Sequence, residues 1–78
     1  MSEKVVKEYI EFVRMPYKTE VWSVLTKRRG DWLGRILWYG QWRQYVFETE
    51  EGCVFSKGCL DDIADFVAKL MRDRKVKA

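Results

Sequence analysis

Hydrophobic and polar residues alternate most regularly within residues 32–47, which hold three of the four tryptophans. Two apolar segments with a period of two residues lie on either side of Tyr39-Gly40-Gln41. Such alternation is typical of half-buried strands, and a short break containing glycine is typical of a tight turn. The pattern therefore predicts a β-hairpin, with strands over 32–39 and 42–49 and a turn at Gly40-Gln41.

The segment before this hairpin continues the alternation. Residues 19–27 place Trp22 and Val24 on one face of a further strand. Residues 28–31, with the sequence Arg-Arg-Gly-Asp, then predict a turn, because Gly30 can adopt a positive φ angle without steric cost. Successive strands joined by loops this short predict an antiparallel meander.

The N-terminal segment fits either a strand or a helix. In a helix, one apolar stripe would contain Val6, Tyr9, Ile10 and Val13. In a strand, Val6, Ile10 and Phe12 would share a face. β-branched and aromatic residues are dense from Tyr9 to Val13, which favours a strand there. Pro16 ends the element in either case, because it has no backbone N–H to donate.

A C-terminal helix is predicted over about residues 57–72. Ser56 is suited to be its N-cap, because its hydroxyl can accept a hydrogen bond from an amide of the first turn. Phe55 and Leu60 have the spacing of a hydrophobic staple across this helix start. The helix would bury one stripe at 3.6-residue spacing, made of Leu60, Ile63, Phe66, Val67, Leu70 and Met71. Residues 73–78 form a charged tail that is expected to fray.

The pattern divides the sheet into two faces. One face is predicted to carry Trp22, Val24, Trp32, Gly34, Ile36, Trp38, Trp42 and Val46. The other is predicted to carry Val21, Leu25, Leu33, Arg35, Leu37, Tyr39, Arg43, Tyr45 and Phe47. The first set is bulkier and more apolar, so we expect the helix on that face, where Gly34 would allow the helix backbone or a large ring to approach closely. The fold class is therefore α+β: an antiparallel meander of three to four strands with one C-terminal helix packed on one face.

The second face has no predicted cover. Three interpretations remain open for it: the N-terminal segment folds across it, the protein pairs with itself there, or the face binds a partner. The first follows from the need of a small domain to bury as much apolar surface as it can. The other two follow from the rule that uncovered apolar patches usually mark interfaces.

Length and composition are those of a single small domain over residues 1–78. Hydrophobic residues make up 47% of the chain and aromatic residues 15%, which supplies enough surface for one small core. Cys53 and Cys59 are too few to suggest a disulfide scaffold, no secretory signal precedes them, and no apolar run could span a bilayer. We therefore expect a soluble cytoplasmic protein with reduced thiols and no membrane partner.

The net charge of +3 is unevenly distributed. Residues 69–78 contain five basic residues and one acidic residue, whereas the first 68 residues contain ten basic and eleven acidic residues. The folded part is thus close to neutral. This distribution weakens the inference from a high isoelectric point to nucleic-acid binding.

The sequence lacks most of the residues on which enzymatic catalysis commonly depends. The chain has no histidine, which removes the commonest general base and metal ligand. Two cysteines cannot complete a tetrahedral zinc site, and we interpret both as small buried hydrophobic residues. Acidic residues early in a helix are explained by the helix dipole alone. We expect no enzymatic activity, no metal, no cofactor and no small-molecule substrate.

Basic and aromatic residues of the sheet make nucleic acid the leading candidate ligand. Phosphates would be contacted by Lys27, Arg28 and Arg29 at a hairpin tip and by Arg35 and Arg43 on the sheet. Tyr39 and Tyr45 would stack on unpaired bases or pack against the ligand. The competing interpretation of the basic residues 27–29 is that they form a solvated turn that binds no ligand. The alternative function is a protein interaction module, with a homodimer through the second sheet face as one form of it.

Two motifs resemble a known family. They are Trp38-Tyr39-Gly40-Gln41-Trp42-Arg43-Gln44-Tyr45-Val46-Phe47, and Cys59-Leu60 followed by Ile63-Ala64-Asp65-Phe66. Together they resemble a family of short uncharacterised prokaryotic, viral or plasmid-borne proteins, over roughly residues 20–70. The resemblance implies no activity.

A looser likeness is architectural. An antiparallel sheet followed by a C-terminal helix is similar to the N-terminal DNA-binding domains of tyrosine recombinases, which place the sheet in the major groove. This likeness would direct Arg35, Arg43 and Tyr45 towards DNA, but it rests on architecture alone.

Overall fold

The described residues form a five-stranded antiparallel sheet with one helix on one face. The computed structural model describes the backbone of residues 3–77 and the side chains of residues 3–74. The elements are β1 (Lys4–Val6), β2 (Ile10–Arg14), β3 (Val21–Thr26), β4 (Trp32–Tyr39), β5 (Gln44–Thr49) and α1 (Lys57–Lys77). The strands lie side by side in chain order. The α+β meander is confirmed, whereas the expected number of three to four strands was too low.

The additional strands come from the N-terminal segment, which forms a hairpin. Val5 pairs with Phe12 between β1 and β2, and Phe12 pairs with Val24 between β2 and β3. Ile10 and Phe12 are fully buried, at 1% and 0% exposure, and lie two residues apart on one face. The segment is therefore a strand at this point and not a helix. The segment extends the edge of the sheet. The interpretation that it folds across the second face is therefore wrong.

The helix begins where its N-cap predicts. The Cys59 N–H donates to the Ser56 side-chain oxygen at 3.2 Å, and the Leu60 N–H donates to the Ser56 carbonyl at 3.0 Å. Leu60, however, is 51% exposed and lies outside the core. Phe55 packs edge-to-face against Phe47, with ring centroids 5.5 Å apart. The prediction that Leu60 belongs to the buried stripe of the helix is therefore wrong.

The helix also continues to Lys77, about five residues beyond its expected end. No glycine or proline interrupts its last turns. The Arg74 guanidinium lies 3.7 Å from the centroid of the Trp38 ring, a cation–π contact that ties the last turns of the helix to β4. The backbone of residues 73–77 is therefore helical, and not frayed as expected. Ala78 lies outside the described residues.

Aromatic rings join the helix to the sheet. Phe66 of α1 stacks on Phe12 of β2, with centroids 4.1 Å apart and the rings nearly parallel. The same ring meets Trp22 edge-on at 4.9 Å. The buried core contains Ile10, Phe12, Trp22, Val24, Leu33, Ile36, Tyr45, Ile63, Phe66 and Leu70. The helix therefore covers the face of Trp22, Val24 and Ile36, as expected.

The expected faces of β5 were wrong. Ile36 pairs with Phe47 and Trp38 pairs with Tyr45, so Tyr45 and Phe47 share the helix face. Directly paired residues of an antiparallel ladder lie on the same face. The expected assignment would have required an odd number of loop residues, whereas Tyr39 pairs with Gln44 across a four-residue turn. Val46 consequently lies on the opposite face, which we call the open face.

A register shift changes the start of β4 in the same way. Val24 pairs with Gly34 but Leu25 pairs with Trp32, so one extra residue, Leu33, is accommodated in β4. Leu33 joins the core, and Trp32 lies on the open face with Leu25. Their expected faces are therefore exchanged. Gly34 does allow a close approach as predicted, but the approaching groups belong to β5 rather than to the helix.

Within residues 3–77, no helix combines the length and the apolar character that crossing a bilayer requires.

Candidate functional site

The turn between β3 and β4 holds the basic tip that the sequence predicts. The Gly30 N–H donates to the Thr26 carbonyl at 2.8 Å, with Gly30 at a φ of +74° as expected. The Asp31 N–H donates to the Thr26 side-chain oxygen at 2.9 Å. These bonds fix the backbone of the turn while residues 27–29, Lys-Arg-Arg, remain exposed. Three cationic side chains are thus presented from one rigid loop.

Tyr9 of the β1–β2 turn lies beside this tip. The Lys27 N–H donates to the Tyr9 carbonyl at 2.9 Å, and the two turns line a shallow pocket with Glu8, Tyr9, Lys27 and Arg28. The Tyr9 side chain is 57% exposed. The negative charge of Glu8 raises the pKa of the Tyr9 hydroxyl, so Tyr9 stays neutral around neutral pH. An exposed aromatic ring therefore adjoins the cations at this end of the sheet.

The strand that follows the tip continues the polar and aromatic surface along the open face. The pairing of β4 places Trp32, Arg35, Leu37 and Tyr39 on this side. The Arg35 Nε–H donates to a Glu48 carboxylate oxygen at 2.7 Å, in an exposed ion pair. Trp32 is 44% exposed. A cation in the middle of the strand is thus available to solvent, with one of its five N–H groups engaged by Glu48.

The turn between β4 and β5 presents two aromatic rings and an arginine. Tyr39 and Trp42 meet edge-on, with ring centroids 4.9 Å apart. The Tyr39 hydroxyl donates to the Gln41 side-chain oxygen at 2.9 Å. Trp42 is 65% exposed, although the sequence pattern placed it under the helix. Arg43 next to it adopts a φ of +52°, a left-handed conformation that is uncommon for a residue with a side chain.

We call the exposed cations and aromatic residues of β4 and its two flanking turns the β4 surface. It consists of Lys27, Arg28, Arg29, Trp32, Arg35, Tyr39, Trp42 and Arg43, all of which are exposed. Six of the seven predicted site residues belong to it. Strand β4 spans about 23 Å at about 3.3 Å per residue. Cations lie at both ends and in the middle of this span, and aromatic rings lie between them.

Tyr45 is the predicted site residue that does not belong to this surface. It is only 5% exposed, under the helix. Its hydroxyl donates to Glu20 at 2.8 Å, its N–H donates to the Met71 sulfur at 3.4 Å, and its ring packs edge-on against Trp38. Burial, followed by the hydrogen bond to Glu20, raises the pKa of the Tyr45 hydroxyl. The expectation that Tyr45 faces a ligand from the open face is therefore wrong.

The rest of the open face is largely apolar, but a row containing Ser23, Arg35 and Glu48 crosses it from β3 to β5. The apolar residues are Val13, Val21, Leu25, Leu37 and Val46, all buried or half-buried. Lys4 pairs with Glu11 at 3.2 Å, and Arg35 pairs with Glu48. The two cations that the strands place on this face thus each have a carboxylate partner. The remaining cations of the β4 surface belong to the turns at its two ends.

The two thiols are not bonded to each other. Cys53 and Cys59 are half-buried and pack against the core. Within the part of the chain that the structure describes, no three cysteine or acidic side chains come together as a set of metal ligands.

These observations define the chain as a small α+β protein with an antiparallel five-stranded sheet, one helix and an exposed surface of cations and aromatic rings. It is 37% identical over 71 residues to the "Uncharacterized 9.3 kDa protein" of Acholeplasma phage L2, a match that covers 87% of this chain and 91% of the phage protein. The chain therefore belongs to the same family as this phage protein, which confirms the expected kinship with short viral proteins. No family model matches the chain, and no solved structure matches it.

Proposed function

We propose that this protein is a non-enzymatic binding module whose ligand is nucleic acid, bound along the β4 surface. The observation that carries this proposal is the alternation of exposed cations and exposed aromatic rings along one strand and its two flanking turns. Lysine and arginine contact phosphates, and aromatic rings offer a stacking surface to bases. A solvated turn alone would explain the cations, but it would not explain the exposure of Trp32 and Trp42.

The cations of the β4 surface are expected to contribute unequally to phosphate binding. Arg35 already pairs with Glu48, so a phosphate there would compete with a carboxylate or share the guanidinium with it. The three cations of residues 27–29 take part in no ion pair among the described side chains. They are therefore the residues whose phosphate contacts would contribute most of the affinity. Arg43 supplies a further contact at the other end of the strand.

Replacing Lys27, Arg28 and Arg29 together by alanine should weaken nucleic-acid binding and flatten its dependence on salt. Each phosphate contact contributes about 0.7 to 0.9 to the slope of log K against log salt, so loss of up to three contacts should reduce the slope by about 2 to 3. The measurement is fluorescence anisotropy of a labelled mixed-sequence 12-nucleotide DNA, as single strand and as duplex, between 50 and 200 mM NaCl (roughly the range in which such contacts are lost).

The matched control removes the same charge elsewhere. Lys18 lies in the β2–β3 loop, and Lys57 and Lys69 lie on the helix; all three are exposed. Their joint replacement by alanine changes the net charge equally but leaves the β4 surface intact. An equal loss of affinity in both triple variants would mean that binding follows overall charge, which contradicts the β4 surface as the site. Absence of binding by the unaltered protein would reject the proposed function.

A second candidate function is a protein interaction module, in which the open face meets the open face of a second copy. The supporting observation is an apolar row on that face, where Val21, Leu37 and Val46 pair in succession across β3, β4 and β5. The ion pairs on this face favour a second copy as the partner, because both cations that the described strands place there already have a carboxylate partner and do not call for an acidic one.

Light scattering should then give a mass of twice 9.4 kDa that is unaffected by salt, and Leu37→Lys should return the mass to that of a monomer. A matched exchange on the helix, Leu60→Lys, should leave the dimer intact because Leu60 lies on the other side of the sheet. A monomer at all protein and salt concentrations would exclude this candidate.

A further inference from the structure

We infer that the ligand of the β4 surface is single-stranded, and that the Tyr39–Trp42 ring pair stacks against one of its unpaired bases. This inference rests on the proposed function and specifies its ligand. Its starting point is Trp42, which at 65% is the most exposed aromatic residue in the part of the chain that the structure describes. Tryptophan is highly buried on average, so such exposure indicates a ligand contact rather than a packing role.

The ring pair is held in place before any ligand arrives. The Tyr39 hydroxyl donates to Gln41, and the Tyr39 and Trp42 rings meet at an angle of 76°. The turn itself is closed by the Trp42 N–H, which donates to the Tyr39 carbonyl at 3.2 Å. In an edge-on pair at least one aromatic face stays open to solvent. Because the rings are already oriented, a stacking base would meet a lower entropic cost of ordering them.

The arrangement along β4 fits one strand of nucleic acid better than two. Bases of a duplex are stacked on each other and cannot reach an aromatic side chain without being unstacked. A single strand offers a base face to each ring and a phosphate to each cation. From the tip at residues 27–29 to Arg43, cations and rings alternate as Trp32, Arg35, Tyr39 and Trp42. A span of about 23 Å is suited to a short segment, near the lower end of the roughly 4 to 16 nucleotides bound by one OB fold.

Trp42→Ala tests the inference. Because the substitution removes the stacking on one base, it should weaken binding of a labelled 12-nucleotide single-stranded DNA by about 5- to 100-fold. Binding of the duplex should change by less than about twofold, because its bases are not available for stacking. Trp42→Phe should retain most of the affinity, because phenylalanine also offers an aromatic face. Tyr17→Ala is the matched control, since Tyr17 is 56% exposed but lies in the β2–β3 loop and is not one of the residues of the β4 surface. Near-unchanged thermal midpoints would show that all variants fold.

Tryptophan fluorescence supplies a second readout. Single-stranded DNA should quench the emission of the unaltered protein, and Trp42→Phe should clearly reduce that quenching, with the remainder coming from Trp32 on the same surface. If Trp42→Ala leaves single-strand affinity unchanged, or weakens single strand and duplex equally, the inference is overturned. The proposed function would then still stand, provided that the alanine variant of residues 27–29 loses affinity. If the unaltered protein binds neither strand form, both the inference and the proposed function fail.

Discussion

Phe66→Ala should be the most destabilising single truncation in the helix, lowering the free energy of unfolding by about 3–5 kcal/mol. The Phe66 ring is 3% exposed, stacks on Phe12 and meets Trp22 edge-on. It is therefore the side chain through which the helix is fixed to β2 and β3. Its removal would leave a cavity between the helix and the sheet that the backbone cannot easily close. Small domains have about 5–15 kcal/mol of stability in total, so the variant should be close to unfolded at 37 °C.

Urea denaturation followed by circular dichroism measures this effect. Leu60→Ala is the matched control, because it shortens another apolar side chain of the same helix at a position that is 51% exposed. We expect it to cost less than about 1 kcal/mol, since much of the side chain is already in water. Comparable losses from the two variants would mean that the helix does not pack on the sheet through Phe66.

Gly34→Ala should be comparably harmful, for a different reason. A Cβ atom at this position would collide with the Glu48 carbonyl oxygen and would lie 2.9 Å from both the Phe47 ring and the Thr49 Cα. Gly34 also has a φ of +156°, which side-chain-bearing residues rarely adopt. Overpacking costs about 1–3 kcal/mol and backbone strain a similar amount. We expect a loss of about 2–6 kcal/mol in the free energy of unfolding.

Gly40→Ala is the matched control for this substitution. No atom lies within 4 Å of a Cβ atom built on Gly40, and its φ is not positive. Alanine there should be neutral or stabilise the protein by up to about 1 kcal/mol, because it restricts the unfolded chain. Thermal denaturation of the Gly34→Ala and Gly40→Ala variants measures the difference in their stability. Equal midpoints for the two would contradict the close approach of β5 to Gly34.

Local signals in the sequence were sufficient for β3, β4, β5 and the helix, but not for the N-terminal hairpin or for the registers of the strands. Ser56 and the apolar stripe identify the helix, because capping and periodicity act within a few residues. The face of each β5 residue depends instead on how the chain pairs across the preceding turn. Alternation counted straight through the turn places Tyr45 on the face away from Ile36, whereas a turn with an even number of residues, such as the four observed, places both on one face. Tyr45 was therefore assigned to the wrong side of the sheet.

The start of β4 shows the same limit. The extra residue at Leu33 exchanges the faces of two neighbours, and its position depends on the backbone of β5 approaching Gly34. A glycine within an apolar strand does signal a bulge or a close approach, but it does not specify which neighbour approaches.

The candidate site was only partly predictable for a related reason. The cations could be found from charge alone, because lysine and arginine are rarely buried. Trp42 was missed because a tryptophan in an apolar segment is usually part of a core. The available signal was its place directly after Gly40-Gln41, within the turn rather than beyond it. Likewise, the N-terminal segment was ambiguous because its two strands are defined by the pairing of β1 with β2 and of β2 with β3, not by local sequence signals.

The two outer strands of the sheet are poorly suited to pairing with a neighbouring molecule. β1 is only three residues long and carries Lys4 on its exposed side, and the Tyr45 N–H on β5 donates to the Met71 sulfur of the helix. Short, charged or covered outer strands are poor templates for the addition of another chain. Oxidation of Met71 to its sulfoxide would alter that cover by making an apolar side chain polar. The same helix that completes the core thus also helps to prevent neighbouring molecules from joining their sheets into an aggregate.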